Sequence, residues 1–179
     1  MELNEQAHQT MISMRVNSSG GIELMQTVLQ RFKEIGTVKA VSSIYKVWAI
    51  VQSPQTVHDI RRIEKYEGLA AVFILETTIE PNLLLSKIIE IEGVFRSERI
   101  QKKLSLNLVV YDDFSFMTPS LTLPHPIMHQ KPEILLLSAE LWPDYIHPVL
   151  KQSLAKLTRN FQGQNWGQFH AQGKVLLEN

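Results

Sequence analysis

The chain has 179 residues, 44% of them hydrophobic and 20% charged, enough for one domain with a sizeable core. Its 18 basic and 18 acidic residues cancel, which excludes a bulk field drawing it to nucleic acid or an anionic membrane and makes any anion site local. The absence of cysteine excludes disulfides, thiolate metal ligands and cysteine nucleophiles, and fits a reducing compartment.

No apolar run reaches the roughly 18 residues of a membrane span, and the N-terminal MELNEQAHQT lacks a basic-then-apolar signal. The expectation is a cytoplasmic protein without nucleic acid or membrane as partner. Residues 1–9 are expected to be a flexible leader, 10–158 a single domain and 159–179 a C-terminal tail.

Thr10–Asn17 alternates as a strand, and Ser18-Ser19-Gly20-Gly21 ends it. Ile22, Leu24, Met25, Val28, Leu29, Phe32 and Ile35 recur at helical spacing, with Gly36 as the stop. Val38–Val47 is rich in β-formers and predicts a second strand. Residues 48–67 are irregular: Pro54 breaks the start, and Val57–Tyr66 reads equally as a short helix or a loop.

Gly68–Thr78 is the most apolar strand and is expected at the centre of the sheet. Glu80-Pro81 signals a helix start, carried on by Leu83, Leu84, Ile88, Ile91 and Val94. Arg96–Asp113 then joins a basic run (Arg96, Arg99, Lys102, Lys103) to a strand over Leu104–Tyr111. Leu104, Leu106 and Leu108 share one face of that strand, and Ser105, Asn107 and Val109 the other. Asp112-Asp113 closes it, read as a strand-end turn in preference to a metal pair.

An edge segment is expected near Phe114–Leu121, and a rigid turn at Pro124-His125-Pro126. A buried helix is expected over Glu133–Leu141 and a last short helix over Val149–Leu157. The stretch from Asn160 reads as a tail. Trp48, Trp142 and Trp166 are read as packing residues. His125 and His129 are not read as a metal pair, because Pro126 intervenes.

The order strand, helix, strand, strand, helix, strand is the split βαβ pattern. It predicts an α+β, ferredoxin-like fold with an antiparallel sheet, helices on one face and extra C-terminal helices. RNA-recognition domains share that order but expose stacking aromatics, and Gly68–Thr78 offers only Phe73.

Several words in this order resemble the 6-hydroxymethyl-7,8-dihydropterin pyrophosphokinases of folate synthesis. Val41-Ser42-Ser43-Ile44-Tyr45 is similar to the family's "VSS-aromatic-Y". The sequence AVFILET of Ala71–Thr77 is similar to "AAVALET", and Leu83–Glu92 to the helix ending near "IE". The stretch Leu123–Lys131, LPHPIMHQK, resembles "LPHPRLHERxF". Leu137–Pro143 with His147-Pro148 resembles "PLxEIAPxxxHP".

The resemblance implies transfer of a pyrophosphoryl group from ATP to a pterin hydroxymethyl group, with two Mg²⁺ ions assisting. It implies metal-binding aspartates in a "D-L-D" strand, and here that triplet is Ser105-Leu106-Asn107. It implies Arg99 and Lys102 as remnants of the catalytic basic loop, and His125, Lys131 and Asn17 as remaining ATP or pterin contacts. The pterin-reading "YLN" is Gly68-Leu69-Ala70, and the aromatic that sandwiches the pterin falls at Glu133. A hydroxyl and an amide offer oxygen without the charge magnesium prefers. The expectation is therefore a member with the scaffold kept and catalysis impaired. The alternatives are an active enzyme with a remodelled site using Asp112, Asp113 or Glu98, or a module repurposed to bind a ligand or partner.

Overall fold

The computed structural model describes residues 6–17, 21–49, 66–95 and 104–178. Its centre is an antiparallel six-stranded sheet. The strands are β1 (His8–Asn17), β2 (Thr37–Val41), β3 (Ile44–Ala49), β4 (Tyr66–Thr77), β5 (Leu104–Tyr111) and β8 (Gly167–Ala171). The order across the sheet is β5-β1-β4-β3-β8, and β2 also pairs with β4. A small hairpin of β6 (Phe116–Met117) and β7 (Thr122–Leu123) stands apart.

Helices cover both faces. On one face lie α1 (Gly21–Lys33) and α2 (Pro81–Val94). Met25, Val28, Leu29 and Phe32 of α1 are buried, at the spacing of one helical stripe. They meet Leu84 and Ile88 of α2 over Ile12, Met14, Phe73, Leu106 and Leu108. On the other face, α3 (Pro132–Leu141) and α4 (Leu154–Leu157) pack Ile134, Leu135, Leu137 and Leu154 against Met11, Val72, Ile74 and Val110. The extra C-terminal helices are thus the second layer. The β4 strand is apolar throughout because both of its faces are covered: Ala71, Phe73 and Leu75 serve one core, Ala70, Val72 and Ile74 the other.

Four expectations need correction. The second strand is broken into β2 and β3 at Ser42-Ser43. Ser42 is fully buried there, and its Oγ accepts from Val72 N at 2.9 Å in place of a ladder bond. The edge segment expected over Phe114–Leu121 is instead the short β6–β7 hairpin.

The last helix is only Leu154–Leu157. Pro148, the left-handed Lys151 (φ 55°) and a bridge between Ile146 and Ser153 hold the preceding residues in a loop. Ser153 then caps the helix by accepting from Lys156 N. The stretch after Asn160, expected as a tail, supplies β8, which pairs with β3, and the fully buried Leu176. A Cβ on Gly173 would collide with the carbonyls of Val41 and Ser42, so that segment lies tight on the strand break. Residues 50–65, which hold all of the undecided Val57–Tyr66 stretch except Tyr66 at the start of β4, lie outside the described residues.

Candidate ligand site between the sheet and the third helix

The face of the sheet that meets α3 turns polar at one end. Alternation along β1 puts Ser13, Arg15 and Asn17 on that face, and β5 adds Ser105 and Asn107. The register sets Ser13 opposite Asn107 and Arg15 opposite Ser105. Asn107 Nδ2 donates to Ser13 Oγ at 3.0 Å. From the other side come Lys131 and Glu133, at the start of α3. Together these groups line a cavity of about 40 Å³.

Arg15 is placed by its neighbours. It pairs across the strands with Ala70, and Gly68 follows on the same face of β4. A Cβ on Gly68 would lie 2.7 Å from Val16 O and 3.3 Å from Arg15 Nε. The two small residues thus leave room for the guanidinium, which reaches to within 3.6 Å of Glu133 Oε1.

His125 lies at the rim. Its backbone N–H donates to Val109 O at 2.8 Å. Val109 is the extra residue where the β1–β5 register shifts beside Met11 and Ile12, so a bulge docks this segment on the free edge of β5. The buried Nδ1 of His125 has no hydrogen-bond partner among the described residues. Burial first, then the charge of Lys131, holds its pKa below the ordinary histidine value. A second cavity of about 300 Å³, lined by Leu85, Thr118, Leu121, Thr122 and His125, shares Asn107 with the first.

Behind it, His125, His129 and His147 line a third cavity of about 300 Å³ with Phe116, Met117 and Leu150. His147 Nδ1 accepts from Val149 N and Leu150 N at 3.3 and 3.2 Å, which places the ring proton on Nε2. A further hollow lies between α1 and α2 on the opposite face. Its charges pair along their own helices, Arg31 with Glu34 and Lys87 with Glu90.

The structure therefore brings Ser105, Asn107 and Lys131 into one pocket and His125 into the adjoining one. Asn17 is half-buried on the same face of β1, two residues beyond Arg15. Arg99, Lys102 and Glu98 lie outside the described residues. Arg15 and Ser13 are site residues that the sequence reading did not single out. The available signal was period two counted back from Asn17.

Asp112 lies elsewhere, in a left-handed turn (φ 43°). Its carboxylate pairs with His8 and accepts from Gln9 N at 2.8 Å. Trp142 packs on Tyr145 and Trp166 stacks on Tyr45, with ring centroids 5.0 and 4.6 Å apart.

The pocket does not suit a divalent metal. Among the described residues no three histidine or carboxylate side chains converge to hold one. Two cationic side chains, Arg15 and Lys131, face the same cavity as the neutral Ser105 and Asn107, against one carboxylate, Glu133. Among the described residues, too, no helix is long and apolar enough to cross a membrane.

This sheet, with helices on both faces and a polar end, is the scaffold of a known family. The model of 7,8-dihydro-6-hydroxymethylpterin-pyrophosphokinase (HPPK) matches residues 11–143, and the chain belongs to that family. It is 32% identical over 87 residues to a 2-amino-4-hydroxy-6-hydroxymethyldihydropteridine pyrophosphokinase from Synechocystis sp., covering 46% of this chain and 45% of that protein. The Aquifex aeolicus protein of the same name is 23% identical over 146 residues, covering 77% and 82%. Among solved structures, Plasmodium falciparum HPPK-DHPS with pterin and p-hydroxybenzoate superposes with a TM-score of 0.68 at 12% identity, covering 89% of this chain and 44% of that one. The chain thus spans under half the length of two of these three relatives.

Proposed function

We propose that this protein keeps the pyrophosphokinase family's cleft for a pterin or nucleotide but does not carry out the two-metal transfer of a pyrophosphoryl group. The observation that carries the reading is the pair Ser105 and Asn107. They line the pocket in the positions where the family resemblance calls for aspartates, and they share it with Arg15 and Lys131.

Metal assistance neutralises phosphate charge and holds the two reactants in line. Two neutral ligands and one carboxylate, Glu133, beside two cations give a divalent ion little reason to stay. The side chains present can still accept and donate hydrogen bonds, and the adjoining 300 Å³ cavity has room for a small molecule. Use of Asp112 as a substitute metal ligand is disfavoured, because His8 and Gln9 already engage its carboxylate.

The test is turnover. Purified protein with ATP, Mg²⁺ and 6-hydroxymethyl-7,8-dihydropterin is expected to release no AMP above background. Release at an ordinary enzymatic rate, on the order of 1 s⁻¹ or faster, would sink the reading.

A further inference from the structure

We propose that the pocket of Arg15, Lys131, Ser105 and Asn107 binds a phosphoryl group without a divalent metal, the two cationic side chains supplying the charge that a metal would otherwise bring. The inference rests on the reading above and deepens it by naming the ligand chemistry of the same site.

The charge pattern comes first. Arg15 and Lys131 face one carboxylate, Glu133, across the cavity, which leaves an excess of positive charge. The arginine–glutamate pair is loose at 3.6 Å, beyond the 2.7–3.2 Å of a formed N–H···O bond. A guanidinium has five N–H donors in a planar fork suited to phosphate, and among the described residues this pair is Arg15's contact. Its fork is therefore available to an incoming oxyanion.

The backbone adds to this. Lys131 is the N-cap of the ten-residue α3, and no side chain caps that end. The positive end of the helix dipole lies beside the cavity, where the first-turn Glu133 carboxylate meets part of it and the remainder adds modestly to the attraction for an anion. The Ser105 hydroxyl and the Asn107 amide supply neutral hydrogen-bonding groups for phosphate oxygens. The fit to Arg15 also looks built, because Gly68 and Ala70 are the residues small enough to let the guanidinium lie across β4.

Size sets the stoichiometry. About 40 Å³ accommodates one phosphoryl group, and the larger cavity sharing Asn107 leaves room for whatever that group is attached to. A divalent cation at the same spot would meet two like charges and a single carboxylate, Glu133.

The experiment is calorimetric titration of the full chain with inorganic pyrophosphate, ATP and adenosine, each in Mg²⁺ and in EDTA. Pyrophosphate or ATP is expected to bind in EDTA at least as tightly as in Mg²⁺, and adenosine much more weakly. Similar affinities for both phosphates identify an inorganic ligand, and a preference for ATP a nucleotide. Arg15→Met and Lys131→Met are each expected to weaken binding about tenfold or more, the scale of one charge-assisted hydrogen bond. Glu133→Gln is expected to tighten it severalfold by removing the one negative charge that faces the cavity. This last variant stays informative if Arg15→Met fails to fold, since a purely structural ion pair predicts no gain.

The inference is overturned if binding needs Mg²⁺, if neither phosphate binds in EDTA, if adenosine matches ATP, or if Glu133→Gln leaves the affinity unchanged. Magnesium-dependent AMP release would overturn the proposed function instead, leaving the EDTA titration to decide this point separately.

Discussion

Both carboxylate oxygens of Asp112 are engaged by the start of β1, one by the His8 ring and one by the Gln9 N–H. Its own N–H donates back to Gln9 O, and its carbonyl accepts the Tyr145 hydroxyl at 2.8 Å. Burial, then Asp113 and Asp112, pushes that hydroxyl up to about 12, so Tyr145 stays a donor at any ordinary pH. Asp112 is thus a lock between the first strand, β5 and the loop after α3, as a turn-forming aspartate is suited to be.

Ser42 does similar work at the β2–β3 break. Ser42→Ala leaves the buried Val72 N–H without its partner and is expected to cost about 1–3 kcal/mol, read as a lower urea midpoint with an unchanged slope.

The histidines set a pH dependence. Burial lowers the pKa of His147, with His129 adding to the effect, and burial lowers that of His125. Each native value lies below the unfolded one, so the unfolded chain binds more protons in the window between them. Stability is therefore complete above the ordinary histidine value of roughly 6.5 and falls as pH drops below it. The urea midpoint is expected to fall between neutral and mildly acidic pH, and His147→Asn to flatten that fall. An unchanged slope in the variant would count against this account.

At the scale of elements, the C-terminal segment matters more than its polar composition announces. The β8 strand covers the outer edge of β3, Phe169 meets Tyr45 edge-on, and Leu176 enters the core beside α1. Leu176→Ala is expected to destabilise by about 2–5 kcal/mol, checked by thermal or urea unfolding. A tail lying loosely on the surface would show almost no change.

The α3 helix has two roles. Ile134, Leu135 and Leu137 seal the second core, while Lys131 and Glu133 face the cavity. Gly68→Ala tests the link between strand packing and site. Its Cβ would press on Val16 O and Arg15 Nε, at an expected cost of about 1–3 kcal/mol together with weaker phosphate binding.

At the scale of the whole molecule, two helical layers fix a sheet whose polar end is left open to a ligand. If neutral residues at the two β5 positions are what keep metal away, restoring charge should restore affinity. The double variant Ser105→Asp, Asn107→Asp is expected to bind Mg²⁺ in calorimetry where the natural chain does not. Adding Arg15→Gly should strengthen that binding by removing the opposing guanidinium. If the double variant binds no metal, the lost carboxylates are not what distinguishes this site.

The sequence by itself determined the local elements, because strand alternation, helical stripes and proline starts are written in neighbouring residues: Leu104–Tyr111, Pro81–Val94 and the central, doubly buried β4 all follow from such patterns. Ordered words spread along the chain also determined the family, and the neutral character of Ser105 and Asn107 is plain in the sequence. Tertiary structure alone decided the rest. Whether Gly167–Ala171 is tail or strand depends on β3, an edge formed more than 100 residues earlier. That Arg15 meets Glu133 depends on the space left by Gly68 and Ala70 on a different strand. Such contacts are set by packing between distant segments, and no periodicity within a single segment encodes them.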